Sequence, residues 1–136
     1  NCNLRCKYCV YTGEFVNNRI HNDIHMEYKT LKDSIDFYFQ HSSKIENKVI
    51  AFYGGEPLLH KSDLIKAIRY IKDKDHNSLI RIDTNGTLLD DKVFIKYLVD
   101  NNISLQVSID GPKDMHDRDR VFIDNSGSYD KAKRRY

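Results

Sequence analysis

Every cysteine of the chain lies within its first nine residues. Cys2, Cys6 and Cys9 are separated by three and then two residues, and the rest of the 136-residue sequence contains no further cysteine. Three thiolates on so short a loop can converge on one metal centre. Because an odd and clustered set of thiols is not a disulfide framework, the spacing indicates metal or redox chemistry in a reducing compartment.

Three kinds of site are compatible with these thiols. A four-iron four-sulfur cube held by three cysteines keeps one iron free to bind a small molecule, which is a catalytic arrangement. A structural zinc ion needs four protein ligands, and His21 or His25 could supply the fourth, although nothing in the spacing demands it. A thioredoxin-like dithiol would use Cys6 and Cys9 but would leave Cys2 unexplained. We expect nearby cations, Arg5 and Lys7, to offset part of the negative charge of the thiolates.

Alternating helical and strand patterns predict the elements that position this loop. Apolar residues at three- and four-residue steps predict helices over Glu27–His41, Asp63–Lys74 with Ser62 as its cap, and Asp90–Asp100. Short apolar segments predict strands over Val49–Tyr53, Leu79–Asp83 and Ile103–Ile109. The first of these strands has the continuous apolar character of a strand buried on both faces. The alternation predicts an α/β fold with a parallel sheet.

Each predicted strand runs into a glycine turn, at Gly54, Gly86 or Gly111. Parallel α/β folds bind ligands at the carboxyl ends of their strands, so these turns and the cysteines should share one functional rim. That arrangement requires a strand before Asn1. We therefore expect the sequence to be a piece of a longer protein.

The last predicted strand alternates strictly between apolar and polar residues. Its polar side chains Ser104, Gln106 and Ser108 would lie on the same face of the sheet as Arg81, Asp83 and Asn85, which belong to the preceding strand and its turn. A polar face inside an α/β layer predicts a hydrated or ligand-filled lumen. The alternative is an edge strand with one wet face.

Composition narrows the class of partner. Lys and Arg number 22 against 20 Asp and Glu, and they are mixed rather than gathered, which does not favour a nucleic-acid partner. No window has the uninterrupted apolar length of a membrane span, and no leader opens the chain. We expect one soluble, cytoplasmic domain that does not bind membranes.

Four motifs together resemble the radical S-adenosylmethionine (SAM) superfamily. They are the C-x-x-x-C-x-aromatic-C loop with Tyr8, the stretch Gly54-Gly55-Glu56-Pro57, the stretch 84–89 (TNGTLL) and the stretch 108–112 (SIDGP). Met115-His116-Asp117 with Arg120, followed by residues 127–131 (GSYDK), resemble the SPASM-containing branch, which includes peptide maturases and sulfatase-maturing enzymes. The stretch 10–14 (VYTGE) is more similar to the peptide maturases.

The resemblance implies a fold and a domain assignment. It implies an α/β fragment of a partial (β/α)6 TIM-like barrel with parallel strands, from which the first strand and the later half are absent. Residues 1–136 would form a single, incomplete radical SAM core domain. The cysteine-rich extension that holds auxiliary clusters in the SPASM branch would also lie elsewhere, and we do not expect this segment to be active alone.

The resemblance also assigns roles to residues. Cys2, Cys6 and Cys9 would hold a 4Fe-4S cluster whose unique iron chelates the amino and carboxylate groups of SAM. The carbonyls of Gly54 and Gly55 would receive the ammonium of SAM, and Glu56 would add negative charge nearby. On this assignment a Gly55→Val variant weakens SAM binding and leaves the iron content intact.

Four further residues are predicted cofactor contacts. Ser108 would lie near the ribose or the carboxylate, and Asn85 would line the same lumen. Arg120 would pair with a carboxylate, and Tyr8 would pack beside the adenine. The alternatives are ordinary turn residues for Ser108 and Asn85, a solvated charged loop over 117–120, and rim packing for Tyr8.

The implied reaction is reductive cleavage of cluster-bound SAM to a 5′-deoxyadenosyl radical that abstracts hydrogen from a peptide or protein substrate. The implied partners are that substrate and a one-electron donor such as a flavodoxin or ferredoxin. Peptide maturation is the expected modification, with sulfatase maturation as the neighbouring alternative. A non-catalytic zinc module and a dithiol redox protein remain the alternatives from other classes.

Overall fold

A computed structural model describes residues 1–11 and 20–133 of the chain. Within those ranges the helices are α1 (Tyr28–His41), α2 (Lys61–Lys74), α3 (Lys92–Asp100), α4 (Lys113–Asp119) and α5 (Tyr129–Lys133), and the strands are β1 (Val49–Phe52), β2 (Leu79–Thr84) and β3 (Ile103–Val107). A 3-10 helix over Pro57–His60 leads directly into α2. None of the described helices is both long and apolar enough to cross a membrane. Most of the 10–14 stretch lies outside the described residues.

The three strands form one parallel sheet in the order β1-β2-β3. Each connection passes through a helix, and this is the strand-helix-strand arrangement that the sequence predicts. The prediction of an α/β fold with parallel strands is therefore confirmed. Strand ends differ by one or two residues from the predicted ones, and β3 stops at Val107 so that Ser108 follows it.

One face of the sheet packs against helices and forms the core. Ile80 and Ile82 of β2 are buried against Ile68 and Ile71 of α2, and all four are at most 1% exposed. Burial of a side chain of this size contributes about 1.5–3 kcal/mol. The core therefore fixes β2 at the centre of the sheet.

Two predicted helix starts are corrected by the structure. The assignment of Ser62 as the cap of α2 is wrong, because the 3-10 helix ending at His60 already supplies the first turn and α2 begins at Lys61. Helix α3 begins at Lys92, and the Asp91 carboxylate caps it by accepting hydrogen bonds from the amides of Val93 and Phe94 at 3.0 Å.

The other face of the sheet is open in the described part of the chain. Strand β1 was predicted to be buried on both faces, and that prediction is wrong, because Val49 and Ala51 are exposed and only one side of the strand meets helices. The register aligns Arg81 with Ser104 and Asp83 with Gln106. The predicted polar face across β2 and β3 is therefore present.

The region after β3 holds the cysteine loop from one side. Leu4 forms an antiparallel bridge with Phe122, and the amide of Arg5 donates to the carbonyl of Val121 at 2.7 Å. The amide of Lys7 donates to the carbonyl of Asp119 at 2.9 Å. The loop is thus fixed to the segment that follows α4. The charged sequence 117–120 belongs to the end of this helix and its cap rather than to a free loop.

Candidate functional site

A cavity of about 500 Å³ lies between the cysteine loop and the carboxyl ends of the strands. Its volume is within the ~300–1,000 Å³ range of small-molecule sites. Nine of the ten predicted site residues line it: Cys2, Cys6, Tyr8, Cys9, Gly54, Gly55, Asn85, Ser108 and Arg120. Glu56 is the predicted site residue that the structure does not bring to this cavity.

The two glycines after β1 are required for different reasons. Gly54 has a φ of +146°, a conformation that favours glycine, and a Cβ there would meet nothing within 4 Å. A Cβ on Gly55 would lie 1.8 Å from the carbonyl oxygen of Asn1 and 3.3 Å from the Cβ of Cys2. Gly55 therefore lets the start of the cysteine loop pack onto the end of β1.

This contact changes the expected behaviour of Gly55 variants. The sequence predicts that Gly55→Val leaves the iron content intact, but any side chain at this position collides with the residue before Cys2. The amide of Glu56 also donates to the Asn1 carbonyl at 2.9 Å, so the same displacement breaks a hydrogen bond. The prediction of an intact iron content is therefore not supported by the packing.

Glu56 joins the ends of β1 and β2. Its side chain is 2% exposed, and its carboxylate accepts hydrogen bonds from the Leu58 amide at 3.0 Å, the Thr84 hydroxyl at 2.7 Å and the Asn85 amide at 2.8 Å. Burial raises the pKa of this carboxyl, opposed by these hydrogen bonds. The observed contacts of Glu56 are thus those of a clamp between the two strand ends.

Asn85 connects the turn after β2 to the cysteine loop. Its amide nitrogen donates to the Asn3 side chain at 2.9 Å and faces the Cys2 sulfur at 4.0 Å. Its oxygen accepts from the Thr87 amide and hydroxyl at 3.0 and 2.7 Å, and Asn3 in turn donates to the Thr87 hydroxyl at 2.8 Å. Asn85 is 6% exposed, so this closed network holds the loop against the sheet.

Tyr8, Asp110 and Arg120 form a polar cluster on the cavity wall. The Tyr8 hydroxyl donates to the Asp110 carboxylate at 2.5 Å, and an Arg120 Nη donates to the Tyr8 oxygen at 2.5 Å. The Arg120 side chain is 11% exposed, and its buried Nε has no hydrogen-bond partner within the described residues. Burial together with the Asp110 contact raises the pKa of Tyr8 to about 12. The tyrosine is therefore a neutral donor.

Burial disfavours the charged form of two of the three thiols. Burial raises the pKa of the Cys6 thiol to about 11, although the Arg120 charge opposes the shift. Burial also raises the pKa of the Cys2 thiol, and the nearby charge of Arg5 acts in the opposite direction. Redox-active dithiols contain a thiol with a lowered pKa, and the raised pKa of Cys6 is opposite to that of a thioredoxin-like nucleophile.

The three thiols are arranged around a cavity and do not converge on a single ion. Among residues 1–11 and 20–133, no three or more His, Cys, Asp or Glu side chains are grouped as ligands of a single ion. In a four-iron cube each cysteine binds its own iron, so the thiolates need not meet at one point. Cys2, Cys6 and Cys9 instead border one cavity, together with the guanidinium of Arg120. Three soft thiol donors and an adjacent cation fit an anionic iron–sulfur cluster.

Ser108 completes the wall formed by the strand ends. It is half-buried, and its amide donates to the carbonyl of Thr84 at 2.9 Å, which extends the β2–β3 pairing past the end of β3. Asp83 lines the same cavity, and its carboxylate pairs with the Arg81 guanidinium at 2.8 Å. The cavity thus has polar groups along the β2 and β3 ends.

Comparison with known proteins identifies the family. The sequence profile of the radical SAM superfamily matches residues 1–134. The chain belongs to the radical SAM superfamily. Membership in this family implies a 4Fe-4S cluster and SAM as cofactors, and it confirms the resemblance drawn from the four motifs.

Curated relatives place the chain within this superfamily. The chain is 33% identical over 135 residues to the cysteine-type anaerobic sulfatase-maturating enzyme of Clostridium novyi, an alignment that covers 96% of this chain and 35% of that protein. It is 39% identical over 116 residues to the GTP 3′,8-cyclase of Clostridium perfringens, covering 83% of this chain and 32% of the relative. The chain therefore spans about a third of the length of these relatives.

Solved structures agree with the fold. The structure titled native anSMEcpe with bound AdoMet matches 99% of this chain and 37% of that chain, with a TM-score of 0.78 and 27% identity. The same protein with bound AdoMet and the Kp18Cys peptide matches 99% of this chain and 36% of that chain, with a TM-score of 0.73 at the same identity. These matches confirm the partial TIM-like barrel architecture of the radical SAM superfamily.

Several residues of the site were not predicted from sequence. Asn3 and Thr87 lie inside quoted motifs, but their mutual hydrogen bonds depend on the packing of the loop against the turn. Asp110 was quoted only as part of the SIDGP stretch, yet its carboxylate joins Tyr8 to Arg120. The buried pair His116 and Ser128 had no assigned role, and only their place in the GSYDK and MHD motifs could have pointed to them.

Proposed function

We propose that the chain is the cofactor-binding part of a radical SAM enzyme that modifies a peptide or protein. The observation that carries the proposal is the convergence of three thiols and six further predicted contacts on one cavity at the carboxyl ends of parallel strands. In this fold type that edge is where ligands bind.

The proposed metal ligands are Cys2, Cys6 and Cys9, with the Arg120 charge beside Cys6 offsetting part of the cluster's negative charge. When bound, the cluster and SAM supply a 5′-deoxyadenosyl radical that abstracts hydrogen from substrate. The thiols must lose their protons on binding the cluster, so assembly depends on pH.

Other residues bind and orient the cofactor. The turn carbonyls at Gly54 and Gly55 accept hydrogen bonds from its ammonium group, and Ser108 and Asn85 offer polar contacts to its sugar or carboxylate. Arg120 has a buried Nε with no partner in the described residues, and this donor is suited to a carboxylate. Tyr8 borders the adenine, with its hydroxyl fixed by Asp110 and Arg120. Glu56 acts indirectly, by keeping the β1 and β2 turns together.

The substrate class is proposed from the relatives. A sulfatase-maturating enzyme aligns over 96% of this chain, and a structural neighbour has bound AdoMet and the Kp18Cys peptide. These similarities favour a peptide or protein substrate of the sulfatase-maturating type. The proposed electron donor, a flavodoxin or ferredoxin, follows from the need of the reaction for one electron. The GTP 3′,8-cyclase relative makes a nucleotide the second candidate.

Iron analysis and product detection test the cofactor assignment. The complete protein is reconstituted anaerobically, and iron, sulfide and 5′-deoxyadenosine formed with dithionite and SAM are measured. Cys6→Ala should lower the iron content by about four atoms per chain and abolish 5′-deoxyadenosine. Lys7→Arg, an exposed change in the same loop that keeps the positive charge, should leave both unchanged. Full iron content and product in Cys6→Ala would refute the assignment.

A second assay tests the substrate class. The reconstituted protein is incubated with SAM, dithionite and either a sulfatase-derived peptide with a central cysteine or serine, or GTP. A peptide mass change coupled to 5′-deoxyadenosine formation would support the proposal. Conversion of GTP with the peptide unchanged would replace it with the nucleotide candidate.

A further inference from the structure

A buried chain of hydrogen bonds runs behind the Tyr8–Asp110–Arg120 cluster. The amide of Asp110 donates to Nδ1 of His116 at 3.3 Å, and Nε2 of His116 lies 3.0 Å from the Ser128 hydroxyl. The same hydroxyl donates to the carbonyl of Arg120 at 2.7 Å. His116 and Ser128 are both 0% exposed. One imidazole and one hydroxyl thus connect the backbones of the two charged members of the cluster.

The direction of every proton in this chain is fixed by its ends. A backbone amide can only donate and a carbonyl can only accept, so Nδ1 of His116 accepts and the Ser128 hydroxyl donates to Arg120. The remaining bond must run from Nε2–H of His116 to the Ser128 oxygen. His116 is therefore neutral, with its proton on Nε2. Burial and the Arg120 charge lower the pKa of His116, which agrees with this assignment, while the charges of Asp110 and Asp117 oppose the shift.

Helix α5 and the loop before it are fixed to α4 by a second contact. The Asp117 carboxylate accepts from the Tyr129 amide at 2.8 Å. A Cβ on Gly127 would lie 2.2 Å from the Asp117 side chain, so a larger residue there would displace the carboxylate that holds Tyr129. Together these contacts place Ser128 against the carbonyl of Arg120.

Arg120 is the residue on which this arrangement acts. It caps α4, and its amide donates to the carbonyl of His116 at 2.8 Å, so both polar groups of its backbone are held. From this anchored backbone the guanidinium extends along the cavity wall to Tyr8. A shift of the backbone would move the guanidinium, and misplacement of a binding group by about 1 Å costs up to a hundredfold in rate.

We propose that His116 and Ser128 are positioning residues that aim Arg120 at the cofactor carboxylate. The proposal rests on the proposed function, because it takes the cavity beside the thiols as the SAM site. Neither residue reaches the cavity wall, so their effect passes entirely through Arg120 and Asp110.

The test measures SAM affinity of the complete, cluster-loaded protein by equilibrium dialysis. Ser128→Ala should raise the Kd for SAM about tenfold, the equivalent of one lost hydrogen bond, while the iron content stays at the wild-type level. Ser126→Ala is the matched control, since Ser126 is exposed in the same loop and its hydroxyl donates to the carboxylate of the neighbouring Asp124. It should leave the Kd unchanged. An unchanged Kd in Ser128→Ala would overturn the proposal.

A double-variant cycle shows whether the effect passes through Arg120. The Kd for SAM of the double variant Arg120→Lys with Ser128→Ala should match that of Arg120→Lys alone. The guanidinium that Ser128 positions is already absent from Arg120→Lys, so the second substitution should have no further effect on the Kd. Independent, multiplying effects would overturn the positioning role. Absence of SAM binding by the wild-type protein would instead refute the proposed function.

Nitrogen NMR of the wild-type protein gives a readout that needs no variant. With ¹⁵N-labelled histidine, the His116 ring should report the neutral tautomer with its proton on Nε2. A proton on Nδ1, or a charged ring at neutral pH, would overturn the proposed chain of hydrogen bonds even if Ser128→Ala fails to fold.

Discussion

Gly55→Ala is the smallest change that should separate the cysteine loop from the sheet. The added Cβ would lie 1.8 Å from the Asn1 oxygen and 2.6 Å from the Asn1 carbonyl carbon, whereas ordinary contact begins at 3.4 Å. The Asn1 carbonyl would therefore have to move by roughly 1.6 Å to restore contact distance. Cys2 follows Asn1 directly and would move with it.

The energetic cost follows from two contributions. Overpacking of this kind costs about 1–3 kcal/mol. Loss of the hydrogen bond from the Glu56 amide to the Asn1 carbonyl adds about 0.5–1.5 kcal/mol. We expect the variant to lose about 2–4 kcal/mol of folding free energy, mostly where the loop meets the turn.

The assay is iron and sulfide content per chain after anaerobic reconstitution of the complete protein, with urea unfolding in parallel. Gly55→Ala should lower both the iron content and the unfolding free energy. Gly54→Ala is the matched control: it meets no atom within 4 Å, so backbone strain at φ +146° lowers stability without displacing Cys2. Wild-type iron content in Gly55→Ala would refute the packing argument.

Two further predictions concern the carboxylate and thiols next to the cavity. Glu56→Gln should lower the free energy of unfolding, measured with urea, by about 1–3 kcal/mol. The NH₂ group of the glutamine would face the Asn85 amide or another group that donates a hydrogen bond to the Glu56 carboxylate. Glu46→Gln, an exposed change, is its control, and equal stability of the two variants would contradict the clamp role. In the cluster-free protein, iodoacetamide should alkylate Cys6 slowly at pH 8 and about tenfold faster per pH unit up to about 11, because only the thiolate reacts. Peptide mass spectrometry measures the alkylation rate of Cys6. A rate that levels off below pH 9 would show that burial does not raise the pKa of this thiol.

The sequence was sufficient to predict α1, α2, α3, the three strands and the rim of the cavity, but not the 3-10 helix, α4 or α5. Strands β2 and β3 carry period-2 alternation, and the register places Arg81 opposite Ser104 as that alternation requires. The glycine turns, the TNG stretch and the cysteine loop converge because carboxyl ends of parallel strands share one edge. The prediction that β1 is buried on both faces was wrong, because a run of apolar residues does not reveal whether one or both faces of a strand are covered.

The roles of individual side chains were harder to predict from the sequence. Glu56 was assigned to the cofactor, but its three hydrogen bonds depend on how close the β1 and β2 turns lie, which local sequence does not encode. Helix α4 was not predicted, because its sequence KDMHDRD has no apolar period, and a solvated charged loop was only the alternative for residues 117–120. His116 is buried in it nonetheless, since its two ring nitrogens meet Asp110 and Ser128 through contacts made between separate segments.

The most direct measurement is pulsed electron–nuclear double resonance of the reduced complete protein with SAM carrying ¹⁵N in its amino group. The Cys6→Ala variant, which lacks one thiolate ligand, gives the background spectrum without this cluster. If Cys2, Cys6 and Cys9 hold a cube with one open iron beside this cavity, the cluster signal should show hyperfine coupling to the labelled nitrogen. A cluster signal with no such coupling at saturating SAM would contradict the account.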